Sequence, residues 1–336
     1  MLREAREAPA AIARQLTAQK DTYRAFGAWL NTHSPNAILT VARGSSDHAA
    51  HFMAYLIMAR LGRLVTSLPM SLITLYQSRI QTRGLLATAF SQSGQSPDLV
   101  APMQFFNAGG ATTAAFVNDA SSPLAAASQW VFPLLAGEEQ SVAATKSFIA
   151  QLVAGARVTA AWQRDTALAA AISDLPEALS RAAANDWSAG IDVLKNAEQM
   201  YVIGRGLSHA VAQEAALKFK ETCGIQAEAF SGAEVKHGPM ALINRGYPLL
   251  ILAPRGPAHD GLVALADEMR ARGASVLLAA PSATPGVNLP IVDTGAPDLD
   301  PISVVQSFYP MVEAISRARG LDPDQPKYLA KVTKTR

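Results

Sequence analysis

Two stretches of this chain repeat one pattern, with Arg43-Gly44 and Arg205-Gly206 lying 162 residues apart. Each stretch, Leu39–Ala49 and Met200–Ala210, consists of a short apolar run, an Arg-Gly turn and a predicted helix start. A strand followed by a glycine turn and a helix begins a βαβ unit. A repeat of such a unit indicates an internal duplication. Because strands alternate with helices in both halves, we predict an α/β fold of two tandem doubly wound parallel sheets, with ligands bound at the carboxyl ends of the strands.

The chain is divided into four parts on this basis. Its 336 residues are enough for about two domains of ordinary size. We predict a helical lead-in over 1–34, a first domain over 35–180 and a second domain over 181–320. The remaining segment, 321–336, is rich in Pro, Lys and Thr, and we expect it to lie on the surface or to close over a site.

Several elements are predicted less directly than the two repeated turns. Residues 71–80 are expected to form a helix between the second and third strands of the first half. In the second half, strands are expected at 200–204, 248–253, 275–280 and 289–292. A single helix is expected to carry residues 214–221, and it ends before Gly224.

Composition excludes several classes of protein. Hydrophobic residues make up 49% of the chain and charged residues 17%, and no run approaches the ~18 apolar residues of a membrane span. The formal charge is +2 without a Lys/Arg block, which argues against nucleic acid as a partner. The one cysteine, Cys223, can form neither an intrachain disulfide nor a zinc site, and the first residues lack the apolar core of a signal peptide. We therefore predict a cytoplasmic protein that acts on small molecules.

A polar loop follows the third predicted strand. Residues 91–98 read Ser-Gln-Ser-Gly-Gln-Ser-Pro-Asp, and a helix is expected to start at about Pro97. Hydroxyl groups, backbone N–H groups and a helix N-terminus would converge there on an anion such as a phosphate. An ordinary connecting loop is the alternative, since turns rich in Ser and Gly are common.

A second candidate site lies in the second half. On one helix, Glu214, Lys218 and Glu221 would share a face, so two carboxylates and an ammonium group could handle protons. His237 follows in a turn that Gly238 and Pro239 would hold in one direction. The alternative is a set of solvated ion pairs and a surface histidine.

Six motifs together resemble the tandem sugar isomerase (SIS) domain family. The family includes the isomerase half of glucosamine-6-phosphate synthase and stand-alone hexosamine-phosphate deaminases, and its flavodoxin-like domains imply the fold expected above. The resemblance extends over nearly the whole chain from about residue 35. The matching segments are Gly44-Ser45-Ser46, Ser91–Gly94, Val142–Lys146, Glu214–Glu221, Lys236–Pro239 and Asp324–Lys331.

The resemblance implies a role for each matching residue. Glu221 would move a proton between C1 and C2 of a sugar, His237 would open the ring, and Lys218 and Glu214 would support them. Lys331 would close onto the substrate and could form an imine with a keto sugar. No metal or other cofactor is implied. The sugar phosphate would be held by Ser45, Ser46, Ser91, Gln92, Ser93 and Ser96, and by the main chain of Val142.

The resemblance also bears on oligomeric state and on the reaction. In the family the histidine loop reaches across a dimer interface, so we expect a homodimer in which His237 serves the partner's site. The synthase has an amino-terminal glutaminase domain whose nucleophile is a cysteine, whereas position 2 here is Leu2. Arg43, Gln95 and Ser96 are closer to the stand-alone deaminases. The expected reaction is conversion of glucosamine 6-phosphate to fructose 6-phosphate and ammonia.

Other functions are compatible with the same scaffold. A deglycase for a 6-phosphorylated fructose–amine adduct, or a deaminase for the galacto or N-substituted sugar, would use the same proton chemistry. A sugar-phosphate sensor is a third alternative, since related domains serve transcription regulators. That function would require a DNA-binding module, and the residues before the first strand are too few and insufficiently basic for one.

Overall fold

The computed structural model describes residues 1–331, so residues 332–336 of the predicted tail lie outside the described residues. It contains α-helices and two sets of β-strands. The helices are α1 Leu2–Thr17, α2 Lys20–His33, α3 Ser45–Leu61, α4 Ser71–Thr74, α5 Pro97–Ala108, α6 Pro123–Ala126, α7 Lys146–Gln163, α8 Thr166–Ala183, α9 Ala189–Leu194, α10 Leu207–Lys218, α11 His259–Ala271 and α12 Asp300–Ala318. The strands are β1 Ala37–Val41, β2 Val65–Ser67, β3 Leu85–Ser91, β4 Thr112–Val117, β5 Trp130–Pro133, β6 Gln199–Gly204, β7 Gln226–Ser231, β8 Pro248–Leu252, β9 Ser275–Pro281 and β10 Leu289–Ile291.

The first sheet is parallel throughout and has the strand order β2-β1-β3-β4-β5. Its inner strands are continuous apolar runs that are buried along nearly their whole length, as expected for strands covered on both faces. The strand order reverses between β1 and β3, which pair with Val41 opposite Ala89. In doubly wound folds, ligands bind at the carboxyl ends of the strands at such a switch point.

The second sheet repeats this topology. Its order is β10-β9-β8-β6-β7, again with parallel pairing, so each strand has a counterpart in the same position of the first sheet. The corresponding switch point lies between β6 and β8, where Ile203 pairs with Ile251. The predicted fold class, two tandem doubly wound parallel sheets, is therefore confirmed.

The chain folds into two compact units, each with its own core. The first-repeat unit comprises Ala10–Glu139, Lys146–Ser173 and the residues from Ala330 on, and the second-repeat unit comprises Met1–Pro9, Gln140–Thr145 and Asp174–Leu329. Side chains from the sheet and its helices fill each core, for example Val41, Phe106 and Val117 in the first-repeat unit. The core of the second-repeat unit contains Ile203 and Ile251, among others.

Three local predictions differ from the structure. The helix expected over 71–80 is wrong beyond Thr74, because Gln77 adopts a positive φ of 49° and Leu75 and Tyr76 are exposed. Strand β7 was not predicted, since Gln226–Ser231 is short and only partly buried and shows no continuous apolar run. The helix expected to carry residues 214–221 changes character at Phe219, where a π-helical turn, Phe219–Cys223, begins.

None of the helices within residues 1–331 has the length and the apolar character needed to cross a bilayer.

Candidate active site

The turn after β1 lies at the carboxyl edge of the first sheet, in the first-repeat unit. Gly44 has φ 54° and ψ −134°, and helix α3 starts directly after it at Ser45. The hydroxyl oxygen of Ser46 accepts a hydrogen bond of 3.0 Å from the Gln151 side chain on α7. Gln151 is itself buried, so it fixes the orientation of Ser46 from within the unit.

The serine loop, residues 91–96, follows β3 at the neighbouring strand end. Its fold is set locally: the Ser91 hydroxyl accepts a 2.9 Å hydrogen bond from the Gly94 N–H, and the Ser93 hydroxyl accepts one of 3.3 Å from the Gln95 N–H. Pro97 follows as the first residue of α5. Because β1 and β3 are parallel neighbours, the turn at 43–46 and the serine loop meet at the same edge of the sheet.

Gly94 is required by the shape of this loop. It has φ +63°, and an added Cβ would lie 2.5 Å from the Cβ of Ser122 and would overlap its hydroxyl. Ser122 has little freedom to move, since its side chain accepts a hydrogen bond from the Ala125 N–H at the start of α6.

Gly94→Ala is therefore expected to destabilise the protein by more than the positive φ alone would. The free energy of unfolding in urea should fall by about 1–2 kcal/mol because of the left-handed backbone. It should fall by a further ~1–3 kcal/mol because of the steric overlap. Gly62→Ala is the matched control, because Gly62 also has φ +63° but has nothing within 4 Å of an added Cβ. Equal losses in the two variants would show that Ser122 does not constrain the loop.

Lys331 is held by a buried carboxylate of the first-repeat unit. Its ammonium group lies 3.6 Å from Oε2 of Glu139, whose side chain is fully buried. Glu139 also accepts hydrogen bonds from the backbone N–H of Ser147, at 3.3 Å, and from the Ser147 hydroxyl. This network fixes the loop before α7 and places the tail lysine beside it.

Glu214, Lys218 and Glu221 form a cluster in the second-repeat unit. The Lys218 ammonium lies 3.4 Å from the Glu214 carboxylate and also contacts the carboxylate of Glu221. The Lys218 and Glu214 side chains are buried, at 1% and 0% exposure, while Glu221 is 21% exposed. Tyr309 of α12 donates a 3.4 Å hydrogen bond to Glu214 from a buried position. The solvated ion pairs considered from the sequence are therefore not what this cluster forms.

Two opposing effects determine the charge of Lys218. Burial alone would lower its pKa, but the Glu214 and Glu221 carboxylates outweigh that effect and raise the pKa above the ordinary value of 10.5. Lys218 is therefore a permanent cation at neutral pH. A fixed positive charge beside Glu221 can stabilise negative charge that develops on a bound molecule.

The π-helical turn carries Glu221 at the end of α10. It widens the helix over Phe219–Cys223, in which Phe219, Thr222 and Cys223 are buried while Glu221 keeps partial access to solvent. Single π-turns inside helices occur frequently at functional sites. The spacing of the two carboxylates had suggested a common helix face, and both of them contact Lys218 in the structure.

The segment that contains Val142 is tied down within the second-repeat unit. The Val142 N–H donates a 3.2 Å hydrogen bond to the carbonyl of Asp324, and the Ser141 hydroxyl donates one of 2.7 Å to the Asp324 carboxylate. Glu4 accepts hydrogen bonds from the backbone N–H groups of Gln140 and Ser141. The Asp-Gln-Pro motif of the tail thus docks on the Val-Ala-Ala-Thr-Lys motif.

Acid should weaken this segment through Glu4. Burial would raise the pKa of Glu4, but the hydrogen bonds from Ser141 and Gln140 lower the pKa below its ordinary 4.5. The stabilisation is therefore complete above pH 4.5 and is lost as the pH falls through the lower pKa of the folded state. Urea unfolding as a function of pH should show this loss in the wild type and a smaller one in Glu4→Gln. Glu7→Gln, at a partly exposed position of the same helix, should keep the wild-type dependence of the free energy of unfolding on pH. The same dependence in all three proteins would contradict the role of Glu4.

His237 lies apart from these networks. It follows the short 3-10 turn Glu234–Lys236, with its N–H bonded to the Glu234 carbonyl at 2.8 Å, and precedes Gly238 at φ 134°. The residue is exposed, and within residues 1–331 its imidazole forms no hydrogen bond or ion pair. Its predicted role across a dimer interface stays a prediction.

The second repeat has no serine loop at its own switch point, and an arginine occupies the equivalent segment. Arg255, directly after β8 and Pro254, donates hydrogen bonds of 2.7 and 2.8 Å to both oxygens of the buried Asp300 and one of 2.6 Å to Asp293. Residues 254–257 read Pro-Arg-Gly-Pro and contain no hydroxyl group, and their arginine is already paired with carboxylates of the protein.

Four residues of these networks were not found from the sequence. Three of them contact a motif residue from a distant part of the chain, and the fourth contacts Gln140 and Ser141, directly before the motif that begins at Val142, so no local spacing could identify them. The residues are Gln151, Glu139, Tyr309 and Glu4. In the part of the chain from residue 1 to 331, no group of three or more His, Cys, Asp and Glu side chains is arranged to hold a metal ion.

Comparison with known proteins gives one matching family model and many relatives. The SIS domain model matches residues 33–160 and 193–282. Glutamine–fructose-6-phosphate aminotransferase (isomerizing) from Methanothermobacter thermautotrophicus is 32% identical over 98% of this chain and 56% of its own length, and that from Bradyrhizobium diazoefficiens is 34% identical over 88% and 51%. The chain therefore spans about half the length of these curated relatives.

Solved structures match nearly the whole chain. A candidate phosphosugar isomerase from Silicibacter pomeroyi is 40% identical with a TM-score of 0.91, covering 96% of this chain and 99% of that one. The C-terminal domain of glucosamine–fructose-6-phosphate aminotransferase from Francisella tularensis is 25% identical with a TM-score of 0.84, covering 97% and 98%. Glucosamine-6-phosphate deaminase from Thermotoga maritima, at 21% identity and a TM-score of 0.74, shares the fold.

Proposed function

The chain belongs to the SIS domain family, and on that basis we propose that it is a sugar-phosphate isomerase that deaminates glucosamine 6-phosphate. The observation that carries this proposal is the buried Lys218 cation between Glu214 and the partly exposed Glu221. An aldose–ketose conversion requires one base that takes a proton next to a carbonyl and returns it to the adjacent atom. A carboxylate held against a fixed cation fits that requirement.

The proposed roles are those that the family resemblance implies for each residue. Ser45, Ser46 and the serine loop would bind the 6-phosphate, and Lys331 would close onto the sugar. Glu221 would transfer the proton, Lys218 and Glu214 would support it, and the main chain of Val142 would contact the sugar. The set proposed to hold the phosphate and sugar comprises Ser45, Ser46, Ser91, Gln92, Ser93, Ser96 and Val142.

The proposed reaction is balanced without an external oxidant. After His237 assists ring opening, Glu221 removes the proton from C2 of the aldehyde form and O1 is protonated, which gives an enolamine. Glu221 then returns the proton to C1, so that C1 becomes CH₂OH and C2 becomes a ketimine. Water adds to C2, ammonia leaves, and fructose 6-phosphate remains.

One feature of the chain supports deamination over transfer of ammonia from glutamine. Arg43, Gln95 and Ser96 differ from the synthase pattern in the turn and loop that would bind the phosphate.

An ammonia-release assay over a substrate panel tests the proposal. Glucosamine 6-phosphate should yield equimolar ammonia and fructose 6-phosphate, and with the reaction run in D₂O deuterium should appear at C1 of the product. Galactosamine 6-phosphate, N-acetylglucosamine 6-phosphate and a 6-phosphorylated fructose–amine adduct serve as the competing substrates. Faster turnover of one of these would reassign the substrate, and no turnover of any would refute the deaminase.

We further propose a homodimer in which each His237 serves the partner's site, and mixing two inactive variants checks it. Glu221→Gln and His237→Ala should each have little activity alone. Refolded together, they should regain activity, because a mixed dimer contains one site with both native side chains. Mixing Glu221→Gln with Lys218→Met is the control, since those two residues contact each other within one chain and no native site can form. Failure of the first mixture to recover, although mixed dimers form, would place His237 in its own chain's site.

A further inference from the structure

Arg43 lies beside the serine loop. It lies between the end of β1 and the start of α3, in the turn that meets the serine loop at the switch point. Its side chain is 60% exposed, and one guanidinium nitrogen lies 3.5 Å from the Asp98 carboxylate. Asp98 is the second residue of α5, directly after the loop.

The charge of Asp98 poses a problem for an anion site. Asp98 is only 4% exposed, and a carboxylate in the first turn of a helix is favoured by the helix dipole. The same carboxylate would repel a phosphate dianion bound at the adjacent loop, since charges interact strongly at the edge of a protein interior. The hydroxyl groups of the serine loop are neutral and cannot offset that repulsion. Arg43 can, because it brings a permanent positive charge to Asp98.

The geometry leaves Arg43 free to do more than neutralise Asp98. A guanidinium has five N–H donors in a planar fork that matches the oxygens of a phosphate. The contact with Asp98 is a single one at 3.5 Å, and the exposure of the side chain leaves other donors open to solvent. In the second repeat, by contrast, both oxygens of Asp300 and the carboxylate of Asp293 engage Arg255. Arg255 thus donates three hydrogen bonds to carboxylates of the protein, whereas the guanidinium of Arg43 has one carboxylate contact at 3.5 Å and can also donate hydrogen bonds to a bound phosphate.

We propose that Arg43 is a ligand of the substrate's phosphate and that Asp98 positions its guanidinium for that contact. The inference rests on the proposed phosphate site in the serine loop and deepens it, because it makes the site selective for a phosphate monoester over the uncharged sugar. A lysine at this position would keep the charge but lose the planar fork.

Calorimetric titration with inorganic phosphate tests this without relying on catalysis. Arg43→Gln should weaken phosphate binding by about tenfold or more, the loss of one hydrogen bond to a charged group, and Arg43→Lys should restore part of it. Arg24→Gln is the matched control for net charge, since Arg24 pairs with Asp21 on an exposed face of α2 in the same unit, and it should bind as the wild type does. Thermal unfolding of each variant shows whether it is folded.

A second variant distinguishes the role of Arg43 from the proposed phosphate site in the serine loop. Ser93→Ala removes a hydroxyl of the loop itself and should also weaken phosphate binding. If Ser93→Ala weakens binding while Arg43→Gln does not, the role of Arg43 is overturned and the phosphate site stands. If the wild type fails to bind phosphate, or Ser93→Ala and Arg43→Gln both bind as it does, the proposed phosphate site is overturned together with this inference. An equal loss in Arg24→Gln and Arg43→Gln would also overturn it, because net charge would then explain both.

Discussion

Glu221→Gln is expected to lower kcat for ammonia release from glucosamine 6-phosphate by about 10²- to 10⁴-fold, the usual contribution of a general base. The amide has nearly the same shape as the carboxylate, and its oxygen can still accept a hydrogen bond from the Lys218 ammonium. KM should therefore change little, because the proposed phosphate contacts are untouched. The assay measures ammonia and fructose 6-phosphate together in single-substrate kinetics.

The control for this variant is Glu198→Gln, the same change on an exposed residue of the second-repeat unit. It should leave kcat and KM at their wild-type values. Exchange of deuterium from D₂O into C1 of fructose 6-phosphate gives a second readout, since it reports proton transfer directly. A Glu221→Gln protein that exchanges C1 hydrogen within a few fold of the wild-type rate would require another base.

Lys218→Met is expected to destabilise the protein by about 3–5 kcal/mol, the usual loss when one partner of a buried charge pair is removed. The change leaves the Glu214 carboxylate, which is fully buried, without the cation that lies 3.4 Å away. Because the pKa of Lys218 is raised, its stabilising effect is fully present below pH 10.5 and is lost only as the pH rises through the higher folded-state value. Urea unfolding at pH 7 therefore measures the whole effect.

Two further variants test whether the burial of Lys218 and Glu214 causes the predicted loss of stability. Lys195→Met removes a lysine whose side chain is 42% exposed and pairs with the exposed Asp192 at 2.9 Å, and pairs that solvent reaches contribute about 0–1 kcal/mol. The double variant Lys218→Met/Glu214→Leu removes both buried charges and should be more stable than Lys218→Met alone. A Lys218→Met protein as stable as Lys195→Met would contradict a charged, buried cluster.

Most of the fold follows from the pattern of apolar runs and glycine turns. Strands β1, β3, β6 and β8 are buried at every residue after the first, and the repeated Arg-Gly turns indicate that one topology occurs twice, so both sheets were predictable. Strand β7 was missed because its alternating polar sequence, Gln226–Ser231, resembles a loop. The π-helical turn at Phe219 depends on how its side chains pack in the interior, and no local sequence rule identifies such packing.

The site was predictable only as far as its residues belong to sequence motifs. Glu214, Lys218 and Glu221 share one segment, so their contact follows from helix geometry. Tyr309 approaches Glu214 from a helix 95 residues further along the chain, and Gln151 reaches Ser46 across 105 residues. These partners are fixed by tertiary packing, which composition and spacing do not encode.

Arg255, in the loop after β8, is paired with carboxylates of the protein, so under the proposed function its loop and the serine loop would differ in how their stability depends on ligand concentration. A ligand that binds the folded protein but not the unfolded chain increases the free energy of unfolding, by an amount that grows with the logarithm of ligand concentration. In the second-repeat loop, the carboxylates that pair with Arg255 are those of Asp293 and Asp300. They belong to the same chain, so their presence does not depend on ligand concentration. Under the proposed function, the serine loop would therefore gain stability from bound sugar phosphate, whereas the contacts of Arg255 with Asp293 and Asp300 are the same at every ligand concentration.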